Sequence, residues 1–371
     1  MGINGTGGTS GGSSASTTVN GRLPEGARPD ARLRRARCLV CYWRGDILYA
    51  HLYPGSEPFA LPPHTAGVLT AFTDWSTPEQ VSLAFPRREP RDVLDNIATL
   101  AKGGVLLAEG SGEAARDEER AGHWEPWSPQ AAFLHYTSEE SGPPPEPAVP
   151  APELFTSYPG ADRLLLPRHP VDLSPAYGAV LYRRRTHSAF AGAPVPLATL
   201  AALLATVFGP VDYVDARRGG ARYRRTSPNA GSCRELDAYL AVRDVAGVTP
   251  GWYHYNAAEH SLELLGDGCT GEELTELCAG QRWVGEAAFL VALVAVVDRR
   301  LTQHTTPRAY RVCLLNAGHL GQTFALTATA LGLAPFQLAS YRDTALMARL
   351  TLDDATHAPL HLLGAGSLRP G

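Results

Sequence analysis

Residues 182–190, YRRRTHSAF, place the guanidiniums of Arg183, Arg184 and Arg185 beside the hydroxyls of Thr186 and Ser188. Arginine's planar fork pairs with phosphate oxygens and the hydroxyls add neutral donors, so the cluster suits a phosphate; a solvated basic loop fits the same residues. A second stretch, Arg224-Arg225-Thr226-Ser227-Pro228-Asn229-Ala230-Gly231-Ser232, precedes a segment in which Leu236, Ala238, Leu240 and Val242 alternate at strand spacing. A compact loop of small residues ahead of a strand lets backbone approach a flat ligand closely. The basic run through Arg217, Arg218, Arg222, Arg224 and Arg225 reads as a solvated face or as a clamp for acidic side chains.

These stretches need a scaffold, and one long apolar helix over Arg308–Leu333 is its centre. Apolar or small residues fall on nearly every side of it, which predicts burial on most sides. Ala317, Gly318, Gly321 and Ala325 would let another backbone come close, from this chain or a second copy. Gly332 suits a left-handed cap and Pro335 blocks continuation. The spacing predicts a helix from Pro196 to Phe208, a hairpin of Trp252–Tyr255 with Ser261–Leu265, and a buried central strand over Ala288–Val297.

The 371 residues, 44% hydrophobic, suffice for two domains, and a net charge of −4 implies no global attraction to nucleic acid or an acidic membrane. The longest apolar stretch, the central helix, carries Asn316, His319 and Gln322, so a membrane span is not expected. The start of the chain has no basic and apolar pattern of a secretion signal, and six scattered cysteines suit a reducing, cytoplasmic setting. Cys38 and Cys41 form a CxxC without a second ligand pair, so no metal is expected. Residues 1–31 are Gly, Ser and Thr rich and read as a disordered tail. Residues 32–110 read as a winged-helix-like module: a hairpin turning at Arg44-Gly45-Asp46, a helix after Pro62-Pro63, one capped at Ser76 or Thr77, a third through Val93, Leu94, Ile97 and Leu100, and a strand at Val105–Leu107. That module resembles the peptide-recognition domains that capture a leader peptide as an added strand, and its third helix lacks the basic face of a DNA reader. Residues 111–172, with Pro143-Pro144-Pro145, read as a Pro-rich linker, and residues 173–371 as the large domain.

Several motifs occur in order: RRxxxxF, SPNAG followed by Glu235-Leu236, GWYHYN with HSLELL, the RAYR…LLNAGHLGQTFALTATALGL helix and LTLDDATHAPLHLLGAG. In this the chain resembles the SagB-type, thiazoline-oxidase flavin dehydrogenases of the nitroreductase superfamily over residues 170–366. The resemblance implies an α+β fold, a nitroreductase-like FMN-binding sandwich with a long central helix, preceded here by the small winged-helix-like domain. It implies a homodimer with FMN at its interface. By motif position Arg184, Arg185 and Thr186 would hold the FMN phosphate and ribityl chain, and Ser188 stands where the family has an arginine. Pro228, Asn229, Ala230 and Gly231 would lie along the ring system, with Gln322 facing it from the partner's helix.

In the relatives a peptide azoline becomes an azole: a base removes the Cα proton, hydride passes to the flavin N5, and oxygen regenerates the cofactor. The implied partners are a precursor peptide and a cyclodehydratase complex. The relatives' Lys-Tyr pair corresponds to His304 and Thr305, and Lys102 is the only lysine of the chain, so a lysine base is excluded from the large domain. His304 can replace it, since imidazole titrates near neutrality; Tyr310 is a second candidate and His319 a third. The same residues accommodate a flavin-dependent reductase of dehydroamino acids or nitro compounds, or a non-catalytic peptide-binding subunit.

Overall fold

The structure, a computed structural model, describes residues 30–55, 57–62, 64–139, 153–168, 172–216, 220–230, 233–301 and 306–369. The expected tail, apart from residues 30 and 31, lies outside them. The chain divides into two units, residues 1–140 and 141–371.

In the first unit β1 (Leu33–Arg35) is followed by the antiparallel meander β2 (Leu39–Arg44), β3 (Ile47–Leu52) and β4 (Phe59–Leu61). The β2–β3 turn is the two residues Gly45 and Asp46, and Gly45 takes the positive φ of +58° that such a tight turn needs. Helices α1 (Thr65–Ala71), α2 (Pro78–Leu83) and α3 (Pro90–Lys102) lead to β5 (Leu106–Ala108), which pairs with β1. Thr77 caps α2 reciprocally: its hydroxyl accepts from the Gln80 N–H at 3.2 Å and the Gln80 side chain accepts from the Thr77 N–H at 2.9 Å. Leu48, Ala50, Val68, Phe72, Ile97 and Leu100 close one core between helices and meander.

The expected linker of 111–172 is a correction. Helices α4 (Gly112–Trp124) and α5 (Ser128–Thr137) belong to the first unit. Ser111 caps α4, and the buried Asp117 carboxylate accepts from the Arg34 guanidinium and the N–H groups of Arg37 and Cys38 at 2.9–3.1 Å. Those bonds fasten α4 to the β1–β2 connection, a tertiary partnership that Pro content alone does not reveal. The CxxC is split: Cys41 is exposed, while burial and the Asp117 charge push the buried Cys38 thiol up to about 11.

The second unit opens with β6 (Arg163–Leu165), also within the expected linker, then α6 (Tyr177–Arg183), β7 (Val195–Pro196), α7 (Leu197–Phe208), β8 (Asp212–Ala216), β9 (Gly220–Arg224), β10 (Leu236–Val242), β11 (Val245–Ala246), β12 (Gly251–Asn256) and β13 (Ser261–Asp267). Next come α8 (Gly271–Leu277), β14 (Phe289–Val296), α9 (Val297–Leu301), α10 (Pro307–Ala330), β15 (Leu333–Leu338), α11 (Asp343–Arg349) and β16 (His357–Ser367). A seven-stranded antiparallel sheet runs β15-β16-β14-β10-β12-β13-β6. The alternation in β10 sends Leu236, Ala238, Leu240 and Val242 to a core shared with α7 and α10. Tyr239 and Ala241 face the opposite core, shared with α8 and α11, so every residue of β10 is buried. The sheet is antiparallel throughout and its helices are not crossovers between parallel strands, which makes the unit an α+β domain.

The central helix α10 is not buried all round. Ala309, Cys313, Ala317, Leu320, Phe324 and Ala328 are covered, but Tyr310, Leu314 and Leu315 are 46%, 42% and 56% exposed, with His319 and Gln322 exposed further along. The small residues divide accordingly. A Cβ on Gly321 would stand 2.6 Å from the Gln337 side chain of β15, whereas one on Gly318 would meet nothing within 4 Å. Among the described residues no helix is long and apolar enough to cross a membrane.

Candidate cofactor site

Helix α6 packs against α10 and ends where Arg184 turns extended, its N–H donating to the Val180 carbonyl at 3.0 Å. The chain then runs along the ends of β15 and β16: His187 N–H donates to the Pro335 carbonyl at 3.0 Å and Ala191 N–H to the Ser367 carbonyl at 2.9 Å. Phe190 is buried, its carbonyl accepts from Arg369 at 2.8 Å, and its ring would stand 2.6 Å from a Cβ on Gly366. Gly366, the second glycine of the LLGAG motif, is therefore required by close packing of the 184–190 segment on the sheet. Arg184 is half-buried; Arg185, Thr186 and Ser188 are exposed. The Arg185 guanidinium donates to the carbonyls of Tyr182 at 2.9 Å and Arg184 at 3.2 Å, which orients it. Burial, and then the Arg185 charge, hold His187 below the ordinary imidazole range.

The loop before β10 also bonds to α10. The buried Ser227 hydroxyl donates to Thr323 Oγ1 at 2.6 Å. Two turns earlier on the helix, the buried Asn316 side chain accepts from the Ala230 N–H at 3.3 Å and donates to Glu235 Oε1 at 2.6 Å. Glu235, fully buried, also accepts from the Asn229 amide at 3.2 Å, and Asn229 Oδ1 accepts from the Cys233 N–H at 2.9 Å. Asn229 thus spends both ends of its side chain inside the loop, while Pro228 and Ala230 stand exposed.

The structure accordingly brings two of the sequence-derived clusters to one helix. The Arg184–Ser188 segment reaches α10 through α6, and the 227–230 loop reaches it through Asn316 and Thr323. Gln322 is exposed beside Thr323, and His319 is exposed between the two anchor points. Tyr310 lies on the open stripe near Tyr341, whose phenol is pushed upward by burial first and by Asp343 and Tyr310 next. His304 and Gly231 lie outside the described residues. Within the basic run Arg225 is structural: it donates to the Phe208 and Leu236 carbonyls and to the Tyr223 hydroxyl at 2.7–3.2 Å. Glu235, Asn316, Ser227 and Thr323 were not singled out by sequence as site residues. The legible signals were a polar Asn in an apolar helix and an acid directly before a buried strand.

Guanidiniums and hydroxyls suited to a phosphate follow a helix that packs on α10, and an uncharged loop wall suited to a flat ring bonds to α10 itself, a donor set that fits FMN. The sequence matches the nitroreductase family over residues 181–367, half of the chain, and the protein belongs to that family of oxidoreductases. It is 29% identical over 187 residues to the nitroreductase-type protein MJ1384 of Methanocaldococcus jannaschii, covering 50% of this chain and 88% of that protein. It is 28% identical over 169 residues to the trifolitoxin-processing protein TfxB of Rhizobium leguminosarum bv. trifolii, covering 43% of this chain and 45% of TfxB. A nitroreductase-type crystal structure from Anabaena variabilis superposes with a TM-score of 0.53 at 22% identity, covering 64% of this chain and 47% of that one. The matches thus span less than half of TfxB and of the Anabaena protein.

Proposed function

We propose that this protein is an FMN-dependent dehydrogenase that oxidises azoline rings to azoles in a ribosomally synthesised precursor peptide. The observation that carries the reading is the convergence of the Arg184–Ser188 segment and the 227–230 loop on α10; the likeness to a trifolitoxin-processing protein supports the peptide as substrate. In this reading Arg184, Arg185 and Thr186 bind the phosphate and ribityl chain, with Ser188 adding a neutral donor where the family has a cation. Pro228, Ala230 and Gly231 line the ring, and Gln322 faces it across a homodimer built on the exposed Tyr310, Leu314 and Leu315 stripe.

Aromatising an azoline removes a proton from Cα and a hydride from the neighbouring ring carbon. FMN supplies the hydride acceptor, and molecular oxygen receives the two electrons and two protons as hydrogen peroxide. This chain's part would be to hold the ring system against the wall and to take the Cα proton, for which His304 is the first candidate and Tyr310 the second. The edges of the first unit's meander, β2 and β4, offer backbone groups to an extended leader peptide, and a cyclodehydratase would deliver the azoline.

The test is mass spectrometry of a cyclised azoline peptide incubated with the purified yellow protein in air. A loss of two mass units per ring is expected, and an unchanged mass sinks the proposal. The absence of any lysine beyond Lys102 also favours a reductase of dehydroamino acids or nitro compounds. Rapid bleaching of the bound flavin by a nicotinamide cofactor would identify that activity.

A further inference from the structure

We propose that Glu235 and Asn316 are positioning residues that set the ring-facing wall of the site, acting through a relay from the start of β10 to the loop backbone. The inference rests on the flavin reading above for its purpose, though not for its geometry. Glu235 is 0% exposed and Asn316 1% exposed, and the Glu235 carboxylate takes one amide donor on each oxygen: Asn316 on Oε1 at 2.6 Å, Asn229 on Oε2 at 3.2 Å. Those two bonds fix which way both amides point. Asn316, with its NH2 turned to Glu235, has only its oxygen left for the loop, and that oxygen accepts the Ala230 N–H. Asn229, with its NH2 likewise turned, has its oxygen left for the Cys233 N–H.

One buried acid thereby dictates hydrogen-bond polarity on both sides of the loop tip. A buried acceptor at 235 is required because any amide reversal would set Asn316's NH2 against the Ala230 N–H, donor against donor. The exposed faces of Pro228 and Ala230 owe their orientation to this arrangement, since the Asn229 side chain and the Ala230 N–H are both drawn inward. Ser227 and Thr323 hold the start of the loop, and the relay holds its end.

Complementary substitutions test the relay. Glu235→Gln replaces one acceptor oxygen with an NH2, so one of the two amides loses its partner. Asn316→Asp sets a carboxylate against the Glu235 carboxylate. The double substitution restores every bond, because Glu235→Gln then donates to Asn316→Asp while still accepting from Asn229, and the new carboxylate still accepts the Ala230 N–H. Three readouts are taken on the full chain: amide exchange of Ser227, Asn229, Ala230 and Cys233, FMN dissociation constant with flavin midpoint potential, and the melting temperature of the flavin-free protein.

Each single substitution is expected to speed exchange at Ala230 or Cys233 and weaken FMN binding by about tenfold or more, with the double returning to within about threefold of the parent. A purely structural pair would lower the melting temperature without changing exchange at Ala230 and Cys233 relative to the sheet. Singles with parental exchange at both Ala230 and Cys233, or a double no better than the worse single, overturn the proposal. If the parent itself refuses FMN, the flavin reading falls, and the exchange pattern still decides whether the relay governs the loop.

Discussion

Arg299 Nη1 lies 2.7 Å from Asp237 Oδ1, with both residues buried at 6% and 8% exposure, and the same guanidinium reaches the Thr156 hydroxyl at 2.7 Å and the Glu153 carbonyl at 3.1 Å. Thr156 in turn donates to Asp237. One ion pair therefore couples the middle of the sheet to the segment that precedes β6. Removing the cation leaves a buried carboxylate with too few partners, so Arg299→Leu should cost about 3–5 kcal/mol. Urea unfolding of the second unit's signal, with Arg299→Lys as a partial control, measures the loss.

Acid should act through two neighbouring carboxylates. Burial alone would raise Glu263, but His254 Nδ1 at 2.8 Å, the Asn256 amide at 3.0 Å and the Tyr158 N–H at 3.1 Å outweigh it and hold its pKa below the ordinary range. Asp237 is likewise held low, burial being overcome by Arg299 and His254. Groups depressed in the folded state contribute stability that is full above their unfolded values, near pH 4, and is lost as pH falls through the folded ones. Melting temperature should therefore be insensitive to these groups at neutrality and fall on acidification below about pH 4. Glu263→Gln should lower the plateau and flatten that acid limb.

Arg184 is the half-buried member of the guanidinium cluster and the one next to the α6 end. A charge-assisted phosphate contact contributes about 1.5–3 kcal/mol, so Arg184→Ala should weaken FMN binding by roughly tenfold to a hundredfold. Fluorescence titration of the flavin-free protein reads this directly. Riboflavin, which lacks the phosphate, should bind parent and variant alike.

The exposed Leu314 and Leu315 on the open stripe of α10 predict self-association. Leu315→Glu on that stripe should shift the protein from dimer to monomer in analytical ultracentrifugation while leaving the monomer folded by circular dichroism. A parent that sediments as a monomer at micromolar concentration would remove the homodimer.

Local signals were strong enough to reveal most elements. The Thr77-Pro78 start of α2, the Gly45-Asp46 turn, the alternation of β10 and the apolar run of β14 each carry their reason within a few residues. Ordered motifs likewise brought out the Arg184–Ser188 segment and the 227–230 loop. What escaped depends on distant partners. Asp117 ties α4 to residues about eighty positions earlier, so 111–137 read as linker. The open stripe of α10 could not be separated from its buried ones, because leucines occupy both. The role of Glu235 was invisible for the same reason: its partner Asn316 is 81 positions away.

Strand β6 pairs with β13, and Tyr158, Thr156 and Glu153 bond to Glu263, Asp237 and Arg299 ahead of the stretch that matches the family, residues 181–367. The seam at which the oxidoreductase half could be exchanged between proteins by recombination therefore lies upstream of Glu153. A gene fusion joined at the family boundary would strip a strand from the sheet and leave two interior acids short of donors, so lineages that shuffle this half should carry its short N-terminal strap along with it.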